Sequence, residues 1–363
     1  MMIVVIRTAM VVTILLGLHS IAIAASANDR ITITGYGDAG YIKSVDNKYV
    51  KRDSGSTWDY NYLALIFTGK IDDDTKVVAR IHNGTEGSEA SKNGAYINHN
   101  FSENLTLRAG QMKTPIGVYN EIRDIKFLQL STLEPMMYRE PADKLPAYYD
   151  GISAIYHFDI GKHRISTDIY TGEPVGSNAY NIEGVFVKDI NGARITYKTP
   201  FDVKFSLSRY INEIKFATQP LSPAAPLPPT AAAESQGIKS VTVISVDYAD
   251  KNIDLEAELL ESREFEKKGR SYYSQIAYTF GGNTTPFIRY DYLDYDIKSI
   301  LTPSDYQASI TAGFSYKLNP FVSLRMENHW IKGYAISKPA NAEDALLAKV
   351  NWTIFTMDVS FIF

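Results

Sequence analysis

The sequence contains no cysteine among its 363 residues. This absence excludes disulfide frameworks, thiol catalysis and thiolate metal sites. An excess of one charge sign is also missing, because 37 Lys and Arg stand against 41 Asp and Glu. Proteins that bind nucleic acids usually carry a strong basic excess, so we expect no nucleic-acid partner.

Long apolar runs are scarce, and the one candidate lies at the N-terminus. Arg7 precedes an apolar stretch over 9–23, and small residues follow up to Ala27. This order is typical of a secretory signal peptide. We therefore predict a cleaved signal peptide over 1–27, with an uncleaved anchor helix as the alternative. The remaining domain, 28–363, has no run of the ~20 apolar residues that a membrane helix requires.

Alternation of apolar and polar residues dominates the rest of the chain, which is rich in aromatics, with 25 Tyr and 16 Phe. In 306–318, Ile310 and Phe314 share one face with other apolar residues, whereas Ser309 and Thr311 lie on the other. Such a period of two predicts strands with one apolar and one wet face. The predicted strands are 31–41, 58–70, 76–83, 95–101, 105–113, 150–158, 163–171, 186–197, 203–210, 241–248, 253–262, 271–280, 285–293, 306–318, 322–331 and 349–363. The register of 58–70 is left open, and 186–197 begins irregularly, with pairing expected from Gly192.

The connections between these strands alternate in length. Short turns such as 72–74 and 102–104 are followed by longer polar loops such as 84–94 and 211–240. This pattern is typical of outer-membrane barrels, whose short turns face the periplasm. We therefore predict an all-β fold, a transmembrane up-and-down antiparallel β-barrel of about 16 strands. A soluble β-sandwich is the alternative.

Two motifs carry a resemblance to a known family. Residues 110–117 read Gly-Gln-Met-Lys-Thr-Pro-Ile-Gly, and an alternating aromatic row ends with Phe361 and Phe363. Both resemble features of the Gram-negative outer-membrane porin superfamily, and the first is similar to the phosphate-selective porin family and its relatives. The resemblance implies that Phe361 and Phe363 form the assembly signal read by the barrel-assembly machinery. An ordinary apolar last strand is the alternative.

The resemblance further implies a porin in the bacterial outer membrane, a passive diffusion channel for small hydrophilic solutes or ions. Its partners would be small polar solutes, outer-membrane lipid and lipopolysaccharide. A homotrimer is expected because related porins are often trimers. No cofactor and no metal are implied.

In such porins the third external loop folds into the lumen, and here it corresponds to 114–149. A loop longer than about 15 residues favours a functional role. We therefore expect size and charge selection at this loop, with a solvated surface loop as the alternative. The candidate constriction residues are Lys113, Glu121, Arg123, Asp124, Lys126, Arg139 and Glu140.

Charged side chains at the alternate strand positions that should face the lumen form a second set of candidates. Such positions matter because rings of charge set the ion preference of a pore. The wall candidates are Arg80, Arg108, Arg164, Arg194, Asp254, Glu256, Glu258, Arg289 and Arg325. Asp38, Asp168, Lys204, Asp291 and Glu327 also lie at such positions. Asp254, Glu256 and Glu258 form an acidic row, which an anion-selective pore with a strongly basic lumen would not have. Whether the pore prefers anions or cations therefore stays open. Each of these residues could equally do no more than solvate a wet interior.

Two other functions remain as alternatives. An outer-membrane hydrolase would need a nucleophile with a nearby base. The sequence has neither a Gly-x-Ser-x-Gly elbow nor a His-Glu-x-x-His pattern, so we expect no catalytic residues and no enzyme. A barrel with a structural or adhesive role would differ from a porin by showing no conductance.

Overall fold

The structure is a computed structural model. It describes residues 30–49, 55–84, 94–139, 145–175, 185–216, 236–264, 267–295, 306–333 and 347–363. The predicted signal peptide over 1–27 and the candidate residue Glu140 lie outside these stretches. Among the residues described, no helix is both long enough and apolar enough to span a membrane.

Sixteen antiparallel strands form a closed barrel in which each strand pairs with its neighbours in sequence and the first pairs with the last. This confirms the predicted all-β, up-and-down barrel. The strands are β1 (Ile31–Val45), β2 (Ser56–Lys70), β3 (Thr75–Gly84), β4 (Ala95–Asn100), β5 (Leu105–Lys113), β6 (Tyr148–Ile160), β7 (His163–Pro174), β8 (Val185–Lys198), β9 (Val203–Phe216), β10 (Gln236–Ala249), β11 (Ile253–Glu264), β12 (Lys267–Tyr278), β13 (Thr284–Tyr295), β14 (Tyr306–Asn319), β15 (Val322–Gly333) and β16 (Asn351–Ile362).

The alternation predicted from sequence corresponds to the two faces of the wall. On β14, Ile310 is 47% exposed and Phe314 40% exposed on the outside, whereas Gln307, Ser309 and Thr311 are buried inside. Large apolar side chains are exposed in the same way on each strand from β1 to β15. An apolar outer face with a polar interior is the arrangement of a barrel that spans a bilayer.

Two segments that the sequence left open are settled by strand pairing. In β2, Ala64 pairs with the buried Tyr36 and lies inside, so Leu63 points outward. β8 pairs with β9 from Val185 onward but with β7 only from Ile190, two residues before Gly192. A register shift after Lys188 accounts for the irregular start.

The connection between β5 and β6 folds inside the barrel and packs against opposite walls. Its residues Ile116 and Tyr138 join an apolar cluster with side chains of β6 to β12. Leu133 and Met136 join a second cluster with side chains of β1, β13, β15 and β16. The loop therefore crosses the interior, as the fold prediction required. In the described part of the loop there are three short 3-10 helices, at Tyr119–Glu121, Lys126–Leu128 and Met136–Tyr138.

Candidate functional site

The two ends of the loop between β5 and β6 are hydrogen-bonded to each other. The Thr114 amide donates to the Ala147 carbonyl at 3.0 Å, which brings the two ends of the loop together. Gly117 follows with a φ of +62°, and a Cβ at that position would lie 2.2 Å from both Glu258 and Tyr138. Only glycine tolerates both the left-handed backbone and this close approach. The loop can therefore turn directly against the β11 wall.

Glu258 on β11 holds the first part of the loop. Its carboxylate accepts hydrogen bonds from the Val118 and Tyr119 amides, both at 3.0 Å, and from the Tyr138 hydroxyl at 3.1 Å. Tyr273 of the wall also donates to it, at 2.8 Å. Hydrogen bonds to a carboxylate are stronger than those between neutral groups, so this buried side chain is a firm anchor for the loop.

Two further wall carboxylates hold the far part of the loop. Glu327 on β15 accepts from the Thr132 and Leu133 amides, each at 3.1 Å. Asp291 on β13 accepts from the Met136 amide at 2.9 Å. Backbone groups of a loop buried away from water need such partners, and the wall supplies them.

Wall arginines bind the loop's carbonyl groups in a complementary way. Arg289 donates to the Leu133 carbonyl at 3.1 Å and pairs with Asp291 at 2.8 Å. Arg325 donates to the Lys126 carbonyl at 2.6 Å and pairs with Asp358 at 2.8 Å. All four charged side chains of these pairs are at most 1% exposed. We name Glu258, Arg289, Asp291, Arg325 and Glu327 the loop clamp.

Charged residues on the opposite wall keep contact with solvent. Arg80 on β3 and Lys113 on β5 both form ion pairs with Asp124 of the loop. The three side chains are 14%, 15% and 12% exposed. Lys113 also donates to the carbonyl groups of Asn120 and Glu121, each at 2.9 Å. This side of the loop is therefore charged and partly open.

Arg194 and Arg108 extend the same charged region. Arg194 on β8 binds Glu121 at 2.6 Å and reaches Asp168 on β7 at 3.5 Å. Arg108 on β5 donates through Nε to Asn98 at 3.0 Å, and its guanidinium lies over the ring of Tyr96 at 5.8 Å.

A cavity of about 160 Å³ lies between the loop and this wall. It is lined by Arg80, Tyr96, Arg108, Lys113, Glu121, Tyr148 and Asp168, among others. We name it the charged pocket.

A third set of charges lies within the loop itself. Glu134 pairs with Arg123 at 2.9 Å and with Lys126 at 3.7 Å. Burial alone would raise the pKa of Glu134, but Arg123 and Lys126 bring it below its usual value. The side chain of Glu121 is 48% exposed, so it is only partly desolvated, and Arg194 lowers its pKa below the usual value. Both loop carboxylates are therefore charged at neutral pH.

The structure divides the candidates named from sequence into groups. Lys113, Glu121, Asp124, Arg80, Arg108 and Arg194 gather around the charged pocket. Arg123, Lys126 and Arg139 lie inside the loop near Glu134, and Glu258, Arg289 and Arg325 belong to the clamp.

The remaining candidates lie apart from the loop or beside the clamp. Arg164 is at the short-turn end, where it forms an exposed pair with Asp159. Glu256 accepts a hydrogen bond from Tyr273, and Asp254 lies further along β11. Phe361 and Phe363 stack at 6.4 Å beside β1. Their predicted roles stay predictions.

Sequence reasoning missed the tyrosines of the site and the backbone groups of the loop. Tyr148, the first residue of β6, receives a hydrogen bond from Arg80 and donates one to Asp124. No spacing in the sequence indicates that Glu258 would meet the amides of Val118 and Tyr119. Within the described stretches, no group of three or more His, Asp or Glu side chains is arranged to hold a metal ion.

Comparison of this chain with known sequences does not assign it to a family. No family model matches the chain. An uncharacterized protein of Aquifex aeolicus (strain VF5) is 31% identical over 101 residues, which is 26% of this chain. The match spans only 22% of that protein's length. The resemblance to the phosphate-selective porin family therefore stays a prediction.

Comparison with solved structures gives the fold. An anion-selective porin from Comamonas acidovorans is 13% identical with a TM-score of 0.58, covering 92% of this chain and 99% of that chain. OmpF of Salmonella typhi in complex with daunomycin is 12% identical with a TM-score of 0.58, covering 92% and 97%. The trimer form of in-vitro folded OmpT from Vibrio cholerae is 9% identical with a TM-score of 0.57, covering 92% and 99%. The barrel is thus similar to outer-membrane barrels that include porins, and at these identities the likeness concerns the fold alone.

Proposed function

We propose that this chain is a porin of the bacterial outer membrane, a passive diffusion channel for small hydrophilic solutes or ions. The observation that carries the proposal is a closed barrel, apolar outside, whose inner loop leaves charged and partly exposed side chains beside one wall. A 16-strand barrel is wide enough for an aqueous channel. The loop over 114–149 reduces its width and selects by size and charge.

The placement in the membrane follows from the same features. The signal peptide over 1–27 would direct export, and the short turns would face the periplasm. The similar OmpT structure is described as a trimer form, which supports a homotrimer here. Phe361 and Phe363 are proposed as the signal for the barrel-assembly machinery.

The charged pocket favours a weak preference for anions. Four cationic side chains, Arg80, Arg108, Lys113 and Arg194, face the loop's Glu121 and Asp124 and the wall's Asp168. Because acidic residues offset most of the positive charge, we do not propose specificity for phosphate. One similar structure is described as an anion-selective porin, and its fold is shared.

Reconstitution in a planar lipid bilayer tests the proposal. Purified folded protein should give discrete conductance steps, and a salt gradient should give a small reversal potential of the sign that anions produce. Protein that inserts but gives no steps would instead support the structural or adhesive alternative. A hydrolase would be detected by assaying a detergent extract for lipid or peptide hydrolysis.

A further inference from the structure

The charged pocket contains a buried carboxylate with an unused oxygen. Asp168 on β7 is only 6% exposed. Its Oδ2 receives a long hydrogen bond of 3.5 Å from Arg194, whereas its Oδ1 has no hydrogen-bond partner in the part of the chain that the structure describes. Buried polar atoms in native proteins are normally hydrogen-bonded, so this oxygen marks a place where a donor from outside the chain can bind.

The same pocket contains a guanidinium with unused donors. Arg108 on β5 uses its Nε for Asn98 and rests over Tyr96. Arg108 lies near enough to Glu121 and Asp168 to interact with both electrostatically, but in the described stretches it forms no ion pair and its two terminal nitrogens donate no hydrogen bond. An arginine can bind a carboxylate through two parallel hydrogen bonds, so this side chain is suited to a carboxylate ligand.

The other charges around the pocket already have partners. Arg80 and Lys113 are both paired with Asp124, and Arg194 is paired with Glu121. What remains is Oδ1 of Asp168, whose Oδ2 faces Arg194 at 3.5 Å, and the two terminal nitrogens of Arg108. A simple anion would satisfy only Arg108, and a simple cation would satisfy only Asp168, whereas a molecule with both charges would satisfy both.

The spacing of the two residues suits a small molecule. Arg108 pairs across the sheet with Ser153 on β6, and Asp168 pairs with Ile155 on the same strand. The backbones of β5 and β7 are therefore about 10 Å apart, two strand spacings. Both side chains line the cavity of about 160 Å³. A cavity of roughly 150 Å³ can admit benzene, so the ligand has about six non-hydrogen atoms.

We propose that the charged pocket binds a small zwitterionic amino acid, with its carboxylate on Arg108 and its ammonium group on Asp168. This inference deepens the proposed function, because it names a class of solute that the channel recognises. β-Alanine has the required size and both charges, and it serves as the probe.

Saturation-transfer NMR on the purified, folded barrel in detergent tests the site directly. The probes are β-alanine, propionate and propylammonium, which have similar size and differ in charge. β-Alanine should bind about tenfold more tightly than either, because two charge-assisted contacts replace one. Propionate binding as tightly as β-alanine would overturn the proposal in favour of an anion site. Equal binding of propylammonium, or no binding of β-alanine, would also overturn it.

Substitutions then assign the two ends of the ligand. Asp168→Asn should remove the advantage of β-alanine over propionate, and Arg108→Gln should weaken the binding of both. The matched controls are Asp73→Asn and Lys70→Gln, which remove the same charges from a pair at a short turn. They should leave the binding of β-alanine unchanged. If a pocket variant fails to fold, the wild-type probe series still decides the question.

Bilayer recordings separate this inference from the proposed function. A barrel that binds β-alanine but conducts no ions would retain the site and contradict the function. A barrel that conducts ions but binds β-alanine no better than propionate would retain the function and overturn the site.

Discussion

The two sides of the loop use the same kinds of charged residue for different purposes. On the clamp side, Arg289 and Arg325 are at most 1% exposed and bind loop carbonyl groups and wall carboxylates. On the pocket side, Arg80 and Arg194 are 14% and 17% exposed. A charge can steer a permeating solute only where solvent reaches it. We therefore propose that the clamp wall supports the loop mechanically and that the pocket wall selects among solutes.

The largest expected effect comes from breaking an ion pair of the clamp. Arg325→Ala leaves the fully buried Asp358 without its partner, and such a loss costs about 3–5 kcal/mol of stability. The measurement is urea unfolding of the barrel in lipid vesicles. Arg164→Ala is the matched control, because its pair with Asp159 is exposed and screened by solvent, so its loss should change stability little. Equal losses in the two variants would contradict the comparison.

The next effect concerns the position of the loop. Glu258→Ala leaves the Val118 and Tyr119 amides without their acceptor, so the loop should move away from β11. We expect single-channel conductance to rise and its noise to increase. Glu261→Ala, on the exposed end of the same strand, is the control. Unchanged conductance in Glu258→Ala would show that the loop is held by its apolar packing alone.

A smaller effect is expected from the pocket side. Arg108→Glu should shift the reversal potential toward cations, and the shift should shrink at high salt, where screening shortens the reach of the charge. Its effect on stability should be small, because the side chain is partly exposed. Lys204→Glu, near the short-turn end and partly exposed, should give a weaker shift. A larger shift from Lys204→Glu would place the selective region elsewhere.

The smallest effect is expected from pH. The pKa values of Glu121 and Glu134 are lowered by neighbouring cations, so both carboxylates remain ionised well below neutral pH. Their contribution to stability should be lost only as pH falls below about 4.5. The contribution of these two residues to the reversal potential should therefore be constant between about pH 8 and pH 5. A change within that interval that disappears in Glu121→Gln would contradict the assignment.

Sequence was sufficient for the barrel because a two-residue period is a local property. The alternation in 306–318 predicts β14 without knowledge of its partners, and inward parity correctly placed Asp168 and Glu327 on the interior face. The alternation cannot show which of the inward-facing charged side chains the loop covers. Glu258 and Arg108 both face the interior, yet Glu258 accepts hydrogen bonds from loop amides and Arg108 lines a cavity.

That difference depends on the path of the loop, which is set by contacts between residues far apart in the chain. The Met136 amide donates to Asp291 and the Thr132 amide to Glu327, which are 155 and 195 residues away in the chain. No spacing in the sequence predicts these contacts. The alternation therefore predicted which charged side chains face the interior, but it predicted neither their division into clamp and pocket nor the tyrosines of the site.

Cysteine accessibility tests the central claim most directly, because the chain has no cysteine of its own. Val78 lines the charged pocket, whereas Thr356 is fully buried beside Glu327 of the clamp. Val78→Cys and Thr356→Cys are both close to isosteric, and each would be exposed to a sulfonate methanethiosulfonate reagent during bilayer recording. We predict that Val78→Cys reacts within the recording and loses current, while Thr356→Cys does not react. Reaction at both positions at the same rate, or at Thr356→Cys alone, would contradict the division of the lumen into an open and a sealed side.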